Sequence, residues 1–333
     1  MKKLLFSAIT LLAILVVLTG CNRDKVKVGF LMDNVVQERW ERDRALFVEK
    51  VQEFGGEVEV LIADNEAVKQ YTQAEKLIQE GVDVLVVVPV DLNAAAKIVE
   101  LAKENEVKVI SYDRIIKNAD LDFYVSFDHV DVGRLQAEYL TTVCPVGNYV
   151  LINGPTSDNN TFLLELGQLN VLQPLVERGD ISIVYNQFAE HWSQDEGYRL
   201  MKECLSQCKQ EIHAVIADND ALARGAILAL EENGLTGTIC VAGMDAETDA
   251  CQRILEGTQT MTIYKPIEAI ATTAAKIALQ FGRGEELNDI RLTVNNGKKL
   301  VPSILLPSMV VNRENIRLTV VADGYLEENQ IYQ

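Results

Sequence analysis

The sequence predicts an α/β protein made of two lobes of similar size, each built on a parallel sheet. Three observations predict it. Short apolar runs alternate with stretches of helical periodicity from residue 26 to residue 281. Several of those runs are continuously apolar, as strands covered on both faces are. The alternation is also too long for one sheet to absorb, and no Pro/Gly/Ser-rich linker divides it. The chain is therefore expected to pass between lobes through short, structured crossings.

Residues 26–32 (VKVGFLM) read as a buried strand, and 38–54 as a helix that spaces Trp40, Leu46, Phe47 and Val51 along one side. A strand at 57–63, a helix at 67–79 and the apolar strand 82–88 (VDVLVVV) follow, then a helix at 93–104 and a strand at 107–111. After a short strand at 122–126 the rhythm restarts. Helices are expected at 131–142, 162–176, 194–205, 221–233, 248–255 and 268–281, and strands at 149–152, 182–185, 214–217, 238–242 and 260–264. The βαβ order implies parallel strands with right-handed crossovers.

The first 20 residues stand apart from this pattern. Lys2 and Lys3 precede an apolar run over 4–18, shorter than the ~20 residues a bilayer span needs. That is the pattern of a secretory signal. Leu18-Thr19-Gly20-Cys21 resembles the bacterial lipoprotein cleavage motif, with Cys21 as the lipidated first residue. A plain signal peptide and an uncleaved anchor are the alternatives. Lipidation would hold the exported chain on a bacterial membrane, in the periplasm or at the cell surface. The chain carries 31 basic residues, two of them in this leader, against 49 acidic ones. Such acidity argues against nucleic acid as a partner. None of the six cysteines stands in CxxC spacing and no histidine pair accompanies them, so no metal site is expected. Cys204 and Cys208 either stay thiols or close a strained short-loop disulfide.

Open parallel sheets bind ligands beyond the carboxyl ends of their strands. In those places the sequence puts Asp33-Asn34 with Arg39-Trp40, Asp113-Arg114, Ser157-Asp158-Asn159-Asn160, Asp218-Asn219-Asp220, Met244-Asp245 and Lys265. Polar groups thus recur at strand ends in both lobes, as they would around one ligand clamped between two facing surfaces. A pyranose fits such a surface. Carboxylates, amides and guanidinium groups match adjacent hydroxyls, and aromatic faces pack on C–H faces. Trp40 and Trp192, the only tryptophans, each follow a predicted strand. Core packing alone would also account for either one, and helix capping for Asp218-Asn219-Asp220.

Chemistry has less support. Of the three histidines, His213 enters a strand, while His129 and His191 lie in loops or at helix starts. No nucleophile motif, strand-following GxGxxG or P-loop occurs. No cofactor is expected.

The segments QERWERDRALFVEK (37–50), EGVDVLVVVPVD (80–91), VKVISYDRIIKNADLDFYVSFD (107–128), GQLNVLQPLVERGDI (167–181), ADNDALARGAI (217–227), GTQTMTIYKPI (257–267) and NNGKKLVPSILL (295–306) together resemble the type I periplasmic sugar-binding family, in its D-xylose-binding branch. The resemblance covers nearly the whole exported chain. It implies two doubly wound parallel-sheet lobes joined by three hinge crossovers, near Phe127-Asp128, Tyr264-Lys265 and Leu306-Pro307. One lobe would hold 24–127 and 264–306, the other 128–263 and 307–333. It also implies sugar contacts. Arg39 would donate to ring or anomeric oxygens, with Trp40 stacked on one ring face and Trp192 on the other. Asp113 and Arg114 would bind adjacent hydroxyls. Asn159, or alternatively Asn160, would reach in from the second lobe with Asn219 and Asp245, and Lys265 from a crossing. The implied function is capture of xylose or a related pentose by hinge closure, without chemical change. A monomer would deliver the sugar to an ABC permease or, alternatively, present it to a sensor kinase or chemoreceptor. A secreted carbohydrate-active enzyme is a third reading.

Overall fold

The uninterrupted apolar runs of the sequence become the central strands of two separate sheets. The computed structural model describes residues 25–287 and 290–332, so the leader and Cys21 lie outside the described residues. The first lobe begins with β1 (Lys27–Met32), α1 (Glu38–Glu53), β2 (Glu57–Ile62), α2 (Ala67–Gln79), β3 (Val84–Val87), α3 (Ala96–Glu104), β4 (Lys108–Tyr112) and β5 (Phe123–Phe127). The chain then builds α4 (His129–Val143), β6 (Gly147–Asn153), α5 (Asn159–Arg178), β7 (Ile181–Phe188), α6 (Gln194–Gln207), β8 (Ala214–Ala217), α7 (Asp220–Glu231), β9 (Cys240–Ala242), α8 (Thr248–Glu256) and β10 (Thr262–Tyr264) in the second. It returns for α9 (Ile267–Gly282), β11 (Thr293–Asn295) and β12 (Leu300–Leu306), and ends in the second lobe with β13 (Met309–Val311) and the short α10 (Glu328–Ile331).

The larger sheet runs β11-β12-β5-β4-β3-β1-β2, parallel except for β11 against β12. The smaller one runs β7-β6-β8-β9, all parallel, and β10 pairs antiparallel with β13 beside it. In both sheets the order reverses beside the first strand, between β1 and β3 and between β6 and β8. Those reversals open the crevices in which such folds take ligands. The lobes are joined where β5 leads into α4, β10 into α9 and β12 into β13. The expected class, two doubly wound lobes with three crossovers, is the one observed.

Alternation along the strands feeds two cores per sheet. Phe30 and Met32 of β1 pack toward α1 and α9, while Leu31 points to the opposite cluster with Leu77 of α2. The rings of Phe30, Phe47 and Tyr112 meet at centroid distances of 4.5, 5.6 and 6.1 Å. Each such buried ring contributes about 1.5–3 kcal/mol. Glycine sets one approach that matters for the site. A Cβ on Gly133 of α4 would lie 2.1 Å from the Leu164 carbonyl oxygen, and one on Gly167 of α5 would lie 2.0 Å from that of Val130. The two helices therefore pack backbone to backbone, which fixes their N-termini, and so His129 and Asn160, on one crevice.

Helix α5 starts three residues earlier than the periodicity predicts, because Asp158 caps it by accepting from the Asn160 amide at 2.9 Å. Strands β11 to β13 carry no periodic signal: two have only three residues, and Pro302 interrupts the third.

Candidate functional site

Strand ends from both lobes converge on one buried crevice. It leaves a small cavity of about 20 Å³ lined by residues of both lobes, room for about one water molecule. A larger hollow of about 360 Å³ adjoins it and shares Gln37, Arg114, Asp158 and Trp192, but most of its remaining lining is half-buried or exposed. Most of the buried, charged groups line the smaller one.

Arg39 sits at its centre, 3% exposed. It comes from the first turn of α1, where Asp43 lies four residues on, on the same face. Its Nε reaches Asp43 Oδ2 at 3.0 Å, Nη2 donates to Asp113, and Nη1 lies 3.4 Å from Asp245 Oδ1 in the other lobe. Lys265 Nζ reaches the same Asp245 oxygen at 2.9 Å. Arg114 pairs with Asp33 at 2.6 Å within its lobe and with Asp158 at 2.7 Å across the crevice. Burial alone would raise the Asp113 pKa, but the charges of Arg39 and Lys265 outweigh it and hold the carboxyl well below its usual range. Asp245 is held low in the same way, by Lys265 and Arg39 against its burial. Burial raises Asp43 to about 6 despite Arg39 and the Tyr112 hydroxyl.

The backbone is strained at both of those central carboxylates. Asp113 has φ +61° and Asp245 φ +101°, the left-handed side that non-glycine residues rarely adopt. Strain of this kind gathers where side chains must be aimed.

Each expected site residue can now be placed. Arg39, Trp40, Asp113, Arg114, Trp192, Asn219, Asp245 and Lys265 all line the cavity. Asn219 both caps α7, accepting from the Leu222 amide at 2.9 Å, and faces the crevice. Asp218 and Asp220 turn away into buried networks: Asp218 accepts from Gly154 and Gln168, each at 2.8 Å. Trp40, expected to stack on a sugar face, carries cations on its ring: the Arg39 and Arg114 guanidinium carbons lie 4.4 and 5.2 Å from its ring centroid. Trp192 is held by its indole N–H to Asp158 Oδ2 at 3.2 Å, and its ring occupies the space a Cβ on Gly154 would take. Of the alternatives Asn159 and Asn160, Asn159 is half-buried and off the cavity, whereas Asn160 is buried and lines it. One residue is about 100° of helix rotation, enough to exchange the two.

Sequence reasoning missed Asp43 and His129 as site members and named Asp158 only within the polar run that follows a strand. The i,i+4 spacing from Arg39 could have found Asp43. His129 stands two residues past the end of β5, but 127–128 reads in the sequence only as a crossing. Among the described residues no cluster of metal-ligating side chains occurs. Cys204 and Cys208 are free thiols with sulfurs 3.6 Å apart.

Two α/β lobes facing each other across a buried, charge-paired crevice have the architecture of a small-ligand-binding protein. Comparison with known proteins agrees. The periplasmic binding protein domain matches residues 28–286. The chain is 43% identical to the D-xylose-binding periplasmic protein of Escherichia coli over 92% of its length and 93% of that protein's. It is 40% identical to the protein of the same description from Haemophilus influenzae, over 99% of each. A carbohydrate transporter solute-binding protein from Chloroflexus aurantiacus, solved with D-glucose, superposes with a TM-score of 0.86 at 31% identity, covering 91% of this chain and 97% of that one. This chain belongs to the periplasmic binding protein family, and the resemblance drawn from its segments is borne out.

Proposed function

We propose that this protein binds one monosaccharide, D-xylose first among them, between its lobes, closes on it by hinge motion and delivers it unchanged to an ABC importer. The observation that carries the reading is the convergence of Asp113 and Arg114 from one lobe with Asp158, Asn160 and Asp245 from the other on one buried crevice. Such a site is complete only when the lobes meet, so a ligand touching both halves favours the closed form by its differential affinity. The relatives named for D-xylose, at 43% and 40% identity, support that sugar.

Binding without chemistry is the reading favoured by the charges. Asp113 and Asp245 are held ionised by Arg39 and Lys265, so neither can serve as a general acid at neutral pH. Family membership implies export, and Cys21 would carry the lipid anchor of an otherwise monomeric protein. The site residues are Arg39, Trp40, Asp113, Arg114, Asn160, Trp192, Asn219, Asp245 and Lys265. Calorimetric titration with xylose, arabinose, ribose and glucose tests the reading. It expects one site per chain and the tightest binding for xylose, and no heat with any pentose defeats it.

A further inference from the structure

We infer that three buried atoms with no partner among the described residues, His129 Nε2, Asn160 Oδ1 and Trp40 Nε1, set the ligand's hydrogen-bonding code: the ligand must donate to two of them and accept from the third. The inference rests on the reading of the crevice as a sugar site and says which part of a sugar that site selects. All three residues line the cavity, and they are 1%, 3% and 2% exposed.

The polarity of each atom follows from its neighbours. The Ser126 hydroxyl donates its one hydrogen to the Asp113 carbonyl oxygen at 2.5 Å. Toward His129 Nδ1, 3.5 Å away, that oxygen can therefore only accept. Nδ1 carries the ring hydrogen, and Nε2 is left as a bare acceptor. Burial keeps the ring neutral, pushing its pKa down to about 3. The Asn160 amide nitrogen faces two acceptors, the Asp113 carbonyl at 3.3 Å and its Oδ1 at 3.1 Å. A flipped amide would set oxygen against both, so the observed orientation is fixed and Oδ1 is the second bare acceptor. Trp40 Nε1 can only donate.

A ring with several hydroxyls answers this code. A carboxylate does not, because its oxygens cannot donate to His129 or Asn160. The surrounding charges point the same way. Arg39, Arg114 and Lys265 are outnumbered by Asp33, Asp43, Asp113, Asp158 and Asp245. Despite its three cations, the crevice selects neutral polyols over sugar acids.

The test is a calorimetric series on the intact protein with D-xylose, its 2-, 3- and 4-deoxy analogues and D-xylonate, repeated on His129→Phe and Asn160→Leu. Melting curves verify that both variants fold. In the unaltered protein at least two deoxy analogues should bind roughly 10- to 100-fold more weakly than xylose, and xylonate should give no saturable heat. His129→Phe should weaken xylose by a similar factor, yet bind one deoxy analogue within about threefold of the unaltered protein. Deoxy analogues that all bind like xylose would overturn the inference without any variant. So would tight xylonate binding, or a folded His129→Phe that binds xylose unchanged. Absence of heat with xylose itself would instead defeat the sugar reading on which this one rests.

Discussion

Arg114 and Asp158 form a buried ion pair across the crevice, Nε to Oδ2 at 2.7 Å, with both side chains less than a tenth exposed. Asp158 also caps α5 and anchors the Trp192 indole, so one carboxylate ties closure to the shape of the site. Removing one partner of a buried pair costs about 3–5 kcal/mol. Because this pair joins two lobes, most of that loss should fall on closure rather than on unfolding. Asp158→Ala is expected to weaken xylose on the order of 100-fold while lowering the melting temperature by only a few degrees. Titration and thermal melts check this, and affinity within threefold of the parent would contradict it.

Glu38 supplies a second tie between the lobes, outside the cavity. Its carboxylate accepts from the Thr248 amide at 3.1 Å and from its hydroxyl at 2.8 Å, at the start of α8. Burial opposes its ionisation, but those bonds and Arg42 leave its pKa lowered. A carboxylate at a helix N-terminus is favourable, and a half-exposed one modestly so. Glu38→Ala should weaken xylose and every other bound sugar by the same factor, roughly 3- to 10-fold, leaving their ratios intact. A changed preference among sugars would show that Glu38 does more than latch the lobes.

Gly154 leaves the space that Trp192 fills. A Cβ there would lie 2.1 to 2.5 Å from three atoms of the indole ring, closer than any carbon contact allows. Gly154→Ala must displace the ring, since the Gly154 amide is fixed to Asp218 at 2.8 Å. The expected result is altered tryptophan fluorescence together with at least about tenfold weaker sugar binding. An unchanged emission spectrum would place the ring elsewhere.

The fold was legible in the sequence because both sheets rest on strands such as Val84–Val87, covered on both faces and therefore continuously apolar. β11 to β13 were not, since they are held by neighbours rather than by their own pattern. The site was legible where a residue directly follows a strand, as Asp113 and Lys265 do. Asn160 was left open against Asn159 because the cap that sets the start of α5 decides which of the two turns inward. His129 was missed because its meaning depends on Ser126 and Asp113, which only the folded chain brings beside it.

His129 should also be visible in the acid stability of the unliganded protein. Its pKa falls to about 3 in the fold through burial, with Lys265 and Arg39 adding to the effect and Asp113 and Asp245 opposing it. In the unfolded chain it returns to about 6.5. Between those values the unfolded chain holds a proton that the native one does not, so stability rises with pH across that window and is fully present above it. For this one group the swing is on the order of 3–5 kcal/mol. The slope of denaturant midpoint against pH from pH 4 to pH 7, to which raised carboxyls such as Asp43 contribute with the opposite sign, should be less positive in His129→Asn than in the parent, and parallel curves would contradict the assignment.

Bridging of the two lobes by one sugar is most directly read by small-angle X-ray scattering with and without saturating D-xylose. The account predicts that the sugar contracts the particle toward the radius of gyration of a compact chain of this length, ~20 Å. Saturable xylose binding with superimposable scattering curves would contradict it.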